Sequence, residues 1–450
     1  MDINTGRVGK TLAKTISLCP ACLKRLPAEI IEIENKIYLK RYCIEHGEYS
    51  QNISNHPTYY KGLRDYYFNV ISDNFKQIRY LLFITGKCNL ACPVCFYGEG
   101  DFNEMLLSDV EAIARRHKGA EMVIFGKEPT CHEQLPEIVK LLKKTQNSAS
   151  LYTNGVRIGD RDYLRKLKQS RVNKIYLQFD GFKEDIYSNL RNVEMLGVKL
   201  KALDNLRDEK LSTVINMTLV KDNEEEIKKI INYAVKNDFV KTINFTSFIR
   251  SGSGRKFLPD CSVMPDEVID IIEKQTAGVI ARDNVYLFQK FLYAYMSFLG
   301  KRTCLYIQYY WIYRTKDKYL PIDKLIDLKG MNKILDRYAE LLPRNAVLAK
   351  LYLVIFLPKY IVNFKSMHLV IDFLKTVCSH LLKLGEYSNM SSKFVQLIFS
   401  TACDPYKADF QIAKRCHIGI IYKDNQGVIR KNDENGTYLL TNEIETGVKK

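Results

Sequence analysis

The sequence is short of several things. No stretch approaches the ~20 consecutive apolar residues of a bilayer-spanning helix, so a membrane-spanning chain is not expected. Met1 to Lys14 is polar and basic without an apolar core, which argues against a secretory leader. Acidic residues are in deficit, 51 against 68 Lys and Arg, which leaves a formal net charge of +17. No arginine-rich arm or compact basic run accompanies that excess. A solvated lysine-rich surface therefore explains it more simply than an anionic partner such as RNA, a phosphorylated metabolite or a lipid headgroup. Tryptophan occurs once, at Trp311, and neither an internal repeat nor a low-complexity tract is present. What remains is a chain of 450 residues, long enough for two or three domains with a substantial core.

Cysteine is not scarce: there are twelve. In a short secreted chain they would suggest a disulfide framework; bunched at ligand spacings in a leaderless one, they indicate a reducing cytoplasm and metal sites. Cys88, Cys92 and Cys95 follow directly on the apolar run Tyr80–Ile84. Three thiolates at this spacing can hold three corners of a [4Fe–4S] cluster and leave the fourth iron open to a small molecule. A structural zinc takes four ligands, and no fourth cysteine or histidine follows closely. Nearer the N-terminus, Cys19-Pro-Ala-Cys22 and Cys43-Ile-Glu-His46 flank a stretch, Ala28–Lys40, that reads as a hairpin. Paired knuckles of this kind suit a tetrahedral zinc, with mononuclear iron as the second choice.

Three blocks are expected: residues 1–77, the metal-knuckle module; 78–255; and 256–450, mostly helical. The middle block alternates short apolar or β-branched runs with amphipathic stretches, as βα units around a parallel sheet do. Candidate strands are Ile78–Thr85, Met122–Phe125, Ser150–Thr153, Lys174–Phe179, Thr213–Leu219 and Thr242–Phe248. Helical periodicity falls near 108–117, 133–145, 161–169, 183–196 and 224–237, with capping boxes at Ser108-x-x-Glu111 and Asn223-x-x-Glu226. The loop Ser251-Gly-Ser-Gly-Arg255 reads as a linker or, less simply, as a phosphate-cradling turn.

The cysteine spacing, with Phe96 after the last thiol, resembles the signature of the radical S-adenosylmethionine (SAM) enzymes. That resemblance implies a partial (β/α)6 barrel with its active site at the C-terminal strand ends. It also implies a [4Fe–4S] cluster at Cys88, Cys92 and Cys95 whose open iron chelates SAM and drives its cleavage to a 5′-deoxyadenosyl radical. The other strand ends are similar to the superfamily's SAM-contacting positions. Gly126-Lys-Glu128-Pro129 resembles a Gly-Gly-Glu-Pro motif, with Lys127 in place of the second glycine. A left-handed backbone there would cost about 1–2 kcal/mol. Asn154 of Thr153-Asn-Gly, then Gln178 and Asp180, with Tyr187 and Arg191 on the next helix, occupy the third and fourth ends, and an Arg fork suits a carboxylate.

The N-terminal knuckles, Leu177–Phe182, Glu273–Gly278 and Cys403–Phe410 leading to Cys416 are together similar to the archaeal group of tetraether lipid synthase and the 7,8-dihydro-6-hydroxymethylpterin methylating enzyme. Members of that group carry auxiliary iron–sulfur clusters, for which Cys304, Cys378, Cys403 and Cys416 are the candidates here. A terminal Pro-Phe-Cys element is lacking, and no cobalamin-binding domain precedes the barrel. The activity implied is oxygen-sensitive radical chemistry leading to carbon–carbon bond formation or methylation, on a lipid or pterin-type substrate. The electron donor would be of low potential, such as ferredoxin or flavodoxin. The apolar segments Phe291–Leu299 and Leu351–Pro358 suit core packing first, and a lipid tunnel or peripheral membrane contact second. Two alternatives stand. One is RNA modification, using the Tyr/Lys-rich stretch from Tyr59 to Tyr67. The other is a non-catalytic iron–sulfur or zinc scaffold in which Lys127 marks a lost SAM site.

Overall fold

A computed structural model of the chain describes residues 9–72, 79–97, 103–257, 263–316, 318–361, 393–401, 404–424 and 426–432. The first strands, β1 (Lys10–Leu18), β2 (Arg25–Ile33), β3 (Lys36–Cys43) and β4 (Gly47–Ser54), form an antiparallel meander in sequence order. The expected hairpin is its middle pair. Glu34 and Asn35 turn it with φ of 49° and 56°, the left-handed pair that a two-residue hairpin needs.

Helix α1 (Pro57–Val70) then leads into the core. Its Tyr59, Tyr66 and Tyr67 are buried, and their hydroxyls donate to Gln308 Oε1, Leu335 O and Thr303 O. The stretch expected to offer a stacking platform for RNA is therefore core, because those rings have apolar neighbours and internal hydrogen-bond partners.

The core is a sheet of parallel strands alternating with helices: β5 (Arg79–Phe83), α2 (Leu107–Arg116), β6 (Glu121–Phe125), α3 (Leu135–Lys144), β7 (Ser148–Thr153), α4 (Arg161–Gln169), β8 (Lys174–Gln178), α5 (Glu184–Arg191), α6 (Leu196–Asp208), β9 (Thr213–Leu219), α7 (Glu226–Lys236) and β10 (Val240–Ser247). All six strand positions agree with the sequence reading to within two residues, save that residue 78 lies outside the described residues. The helix expected over 183–196 is two. Asn192 leaves helical space at φ 58° and caps α5 with its N–H on Ser188 O, an asparagine being tolerant of that conformation.

Neither capping box forms as expected. The cap of α2 falls two residues early, at Leu106 rather than Ser108, so Asp109 rather than Glu111 accepts from the capping residue's N–H, Leu106 N, at 2.8 Å. Asn223 instead folds a 3-10 turn and donates to Asp180 O and Thr218 O, tying two strand ends together.

After α8 (Pro265–Gln275), α9 (Arg282–Phe298), β11 (Ile307–Arg314), β12 (Tyr319–Pro321), α10 (Leu328–Leu341) and α11 (Ala346–Phe356), the chain returns to the sheet. β13 (Phe394–Ser400) lies parallel beside β10 at one edge and β14 (Ile418–Lys423) parallel beside β5 at the other. β11 and β15 (Ile429–Asn432) extend those edges antiparallel. The C-terminal block is thus helical with edge strands that widen the barrel sheet.

Phe291–Leu299 is core: α9 buries Phe288, Phe291, Leu292 and Tyr293. Leu351–Pro358 departs from the core expectation, since Leu351, Val354 and Ile355 on α11 are 53–66% exposed. Among the described residues no helix is long and apolar enough to cross a membrane.

The two faces of the parallel sheet differ. Outward residues such as Met122, Leu151, Ile175, Ile215, Ile243 and Leu397 are fully buried against helices. α7 supplies the matching stripe Ile227, Ile230, Ile231 and Ala234, each large side chain contributing about 1.5–3 kcal/mol. Of the inward residues of β9, β10 and β13, Val214 and Ser400 are buried, but Asn216, Thr218, Thr242, Asn244, Thr246 and Gln396 remain half-buried. The barrel is open inside.

Candidate active site

The C-terminal ends of β5 to β8 bring the site residues expected from the sequence to one rim. Beyond β5, Cys88 is exposed to solvent at the barrel mouth, with Leu90 N donating to its sulfur at 3.4 Å. The protein around the mouth still raises its thiol to about 11, through burial first and then the charges of Glu128, Cys92 and Cys95. Cys95 N donates to Cys92 O, closing a tight turn, and burial raises Cys95 as well. Phe96 stacks on Phe125 at 6.1 Å and on Tyr97 at 4.1 Å, which ties the cysteine loop to β6.

The Ser251–Arg255 loop after β10 does more than link, because it packs on the cysteine loop. Gly254 N donates to Cys95 O at 3.0 Å, Ser251 Oγ to Phe96 O at 3.2 Å, and a Cβ on Gly252 (φ 55°) would sit 2.4 Å from Tyr97 O. It clamps the end of the cysteine loop. Glycine is needed there.

At the end of β6, Gly126 passes so close to Thr85 that a Cβ would lie 2.6 Å from its carbonyl oxygen. Lys127 is not left-handed, so the expected strain is absent; its charge instead lies near Cys95. Glu128 is 1% exposed and its carboxylate accepts from Thr130 N and Oγ1, Thr153 Oγ1 and Asn154 N, at 2.5–3.1 Å. Burial raises its pKa and those donors oppose the rise. Pro129 opens a one-turn 3-10 helix, so the carboxylate and that turn lock the ends of β6 and β7 together. Asn154 completes the link by donating to Asn89 Oδ1 at 2.7 Å.

At the end of β8, Asp180 is fully buried and holds Arg191 in a fork: Nε on Oδ2 at 2.8 Å and Nη2 on Oδ1 at 3.0 Å. Gln178 Nε2 and Thr218 N also donate to the Asp180 carboxylate. Burial works against the charge of Arg191, but Asp180 and then Cys92 more than offset it. The fork expected to receive a ligand carboxylate is therefore engaged by one from the chain itself.

Sequence reasoning missed Lys199 of α6. It is fully buried and donates to Asn154 O, Gln178 O and Gln178 Oε1 beneath the rim. Burial lowers its pKa to about 7, against the pull of Asp180. The available signal was a lone lysine in the apolar stripe Met195, Ala202, Leu203, Leu206.

The N-terminal donors converge. Cys19, Cys22, Cys43 and His46 place their ligand atoms within 4.8 Å of one another. The separations are 3.7 Å for Cys19–His46, 3.9 Å for Cys22–Cys43 and 3.5 Å for Cys43–His46. Ligands bound tetrahedrally at zinc distances stand about 3.5–3.8 Å apart, so the cage fits a zinc-sized ion as it is. Burial disfavours the Cys19 thiolate, yet the N–H groups of Cys22 and Ala21 aim at it and bring its pKa below the ordinary value.

Of the four auxiliary candidates, Cys304 is buried and Cys416 donates to Ile418 O, both near Tyr67; Cys378 and Cys403 lie outside the described residues.

With this geometry in place the comparisons are informative. The sequence profile of the radical SAM superfamily matches residues 82–234, the span from β5 through α7. The 7,8-dihydro-6-hydroxymethylpterin dimethyltransferase of Methanocaldococcus jannaschii is 31% identical, with 73% of each chain covered. The chain belongs to the radical SAM superfamily. The N-terminal zinc ribbon domain of the pterin enzymes (HMPTM) matches residues 11–55, the meander with its four ligands. Fe-coproporphyrin III synthase of Methanosarcina barkeri is 25% identical over 46% of this chain and 57% of its own length. Among solved structures, Streptococcus suis SuiB bound to its precursor peptide SuiA aligns over 50% of each chain, at 17% identity and a TM-score of 0.41.

Radical SAM enzymes use a [4Fe–4S] cluster and SAM. The donor set fits: Cys88, Cys92 and Cys95 are free thiols on one loop, close enough to influence one another's charge. They are not drawn together as the ribbon ligands are, and a cubane, unlike a single ion, spreads its thiolates over separate irons.

Proposed function

We propose that this radical SAM enzyme methylates a pterin-type substrate held inside the barrel. When bound, the cluster would supply the electron that cleaves one SAM to a 5′-deoxyadenosyl radical, which would take hydrogen from a substrate carbon; a second SAM would give up the methyl group and leave as S-adenosylhomocysteine, with two electrons from the low-potential donor per methyl. Cys88, Cys92 and Cys95 hold the cluster. Phe96, Gly126, Asn154 and Gln178 face SAM, while Glu128, Pro129, Asp180 and Arg191 position them through the contacts described above. Residues 1–77 are the metal module, 78–255 the catalytic core and 256–450 the substrate-facing part, with a low-potential ferredoxin or flavodoxin as electron donor.

The observation that carries the substrate class is the open inner wall of β9, β10 and β13, where Asn216, Asn244, Thr246 and Gln396 stay half-buried and polar. An alkyl chain there would bury amides without partners, at roughly 1–3 kcal/mol each. The activity named for the M. jannaschii relative supports the same class. A second reading, carbon–carbon coupling on a lipid, draws on the exposed Leu351, Val354 and Ile355 of α11.

The test is anaerobic reconstitution with iron and sulfide, reduction with SAM, and mass spectrometry after adding 7,8-dihydro-6-hydroxymethylpterin. Methylated pterin together with 5′-deoxyadenosine is expected, and neither from the Cys88→Ala, Cys92→Ala, Cys95→Ala variant. Deoxyadenosine without methylated pterin, joined by product from a lipid substrate, would favour the coupling reading.

A further inference from the structure

The barrel interior is divided. On the side of β5 to β8 it is aromatic: Phe83 meets Tyr97 at 5.3 Å, Phe125 meets Tyr152 at 5.2 Å, and Tyr152 stacks on Tyr176 at 4.3 Å with 13° between the planes. On the side of β9, β10 and β13 every inward position between Val214 and Thr218, Thr242 and Thr246, and Gln396 and Ser400 is uncharged. Four of those side chains form a directed chain of hydrogen bonds. Ser400 Oγ stands 3.2 Å from both Thr246 Oγ1 and Asn244 Oδ1; accepting from the Thr246 hydroxyl leaves its own proton for Asn244 Oδ1, and Asn244 Nδ2 donates to Asn216 Oδ1 at 2.7 Å. There it stops: among the described residues nothing accepts from Asn216 Nδ2. Asn216 therefore keeps its Nδ2–H groups and the second lone pair of Oδ1 for a ligand on the inner face.

We propose that Asn216, oriented by Asn244 and Ser400, is the specificity-determining group that reads the lactam edge of a neutral planar heterocycle lying against the aromatic wall. This rests on the pterin reading above and deepens it. Asn216 Nδ2 can donate to the ring carbonyl while the second lone pair of Oδ1 accepts from the ring N–H, a two-bond pairing of the kind asparagine makes with the edge of adenine. The facing aromatic rings supply the stacking surface that such a ring needs. An alkyl chain would leave the Asn216 amide dry, and a polyphosphate would find no cation among the inward positions of these three strands.

The experiment measures equilibrium binding of 7,8-dihydro-6-hydroxymethylpterin and, separately, of SAM to the anaerobically reconstituted holoenzyme and to its Asn216→Leu, Asn244→Leu and Asn216→Asp variants. The isosteric Asn216→Asp covers the event that a leucine disturbs the barrel, and iron content with far-UV circular dichroism reports on folding. Pterin affinity should fall about 10- to 100-fold in Asn216→Leu and Asn216→Asp, and less in Asn244→Leu, while SAM affinity stays within about twofold of wild type. Unchanged pterin affinity in the Asn216 variants overturns the assignment and leaves the pterin reading standing. A parallel loss of SAM affinity also overturns it, by moving the amide to the cofactor. A wild type that makes 5′-deoxyadenosine but binds no pterin refutes the pterin reading, and this inference with it.

Discussion

The Asp180–Arg191 pair is the place to test the account of the rim. Asp180 is fully buried and Arg191 nearly so, and the Asp180 carboxylate takes four donors, two of them from the guanidinium. Asp180→Asn preserves the volume but turns one acceptor into an NH2 that faces donors and leaves Arg191 charged and unpaired. Removing one member of a buried pair costs about 3–5 kcal/mol, most of it the uncompensated charge. Arg191→Met should cost about as much, by stranding Asp180. The double variant removes both charges, so its loss should fall short of the sum by about 2–3 kcal/mol. Anaerobic urea denaturation of the four reconstituted proteins, followed by circular dichroism, gives the cycle, with SAM affinity measured alongside. Losses that add within about 0.5 kcal/mol would refute the pairing. So would an Arg191→Met protein of wild-type stability that has lost only SAM affinity, because the fork would then belong to a ligand carboxylate.

The ribbon should carry one zinc per chain by metal analysis, and Cys43→Ser should release it; an iron signal at that stoichiometry would instead select the mononuclear-iron alternative. Gly252→Ala forces a side chain to within 2.4 Å of Tyr97, so cluster iron per chain should fall below half of wild type, and an unchanged ratio would refute the clamp. Lys199 has a folded pKa of about 7 against an ordinary 10.5, so across that window the unfolded chain holds a proton the native one lacks. Stability should therefore rise with pH there, by up to about 1.4 kcal/mol per unit, and be lost as pH falls towards 7. Lys199→Met should flatten the slope in pH-dependent urea titrations; an unaltered slope would assign it to other groups.

Much of the fold was legible because each βα unit announces itself locally. The strands are short β-branched runs, the helices show 3.6-residue stripes, and consecutive chemistry-bearing turns fall where parallel strands must end. The ribbon was legible for a different reason: four ligands within 28 residues leave few geometries. What escaped was non-local. β13 and β14 read as ordinary apolar runs, and nothing near them in sequence says they flank β10 and β5, roughly 150 and 335 residues upstream. Asp180 and Arg191 were legible as polar residues just beyond β8, but their pairing depends on a helix turn whose phase the sequence leaves open. Lys199 was hidden by its helix, where a lysine ordinarily reads as a solvated position.

The polar half of the barrel is built from the same distant pieces, and that connects the metal module to the site. Ser400 ends β13, and the chain then enters the 404–410 segment, where Asp404 pairs with Arg250 at 3.2 Å and Asp409 with Arg64 at 2.8 Å. Arg250, just beyond β10, also donates to Gln51 of the ribbon, and Arg41 of the ribbon donates to Tyr406 O. Asp409 accepts from Thr15 on β1 as well. The two strands presenting Asn244 and Ser400 therefore run into the ribbon's edge, and buried charged groups fix the junction. Buried pairs of this sort add little net stability but penalise any other arrangement heavily. The ribbon is thus placed to set the register of the polar inner wall, while the glycine loop after β10 holds the cysteine loop. β10 is the element common to both. Its ends and inner face carry the residues through which the cysteine loop and the polar inner wall are held to one another.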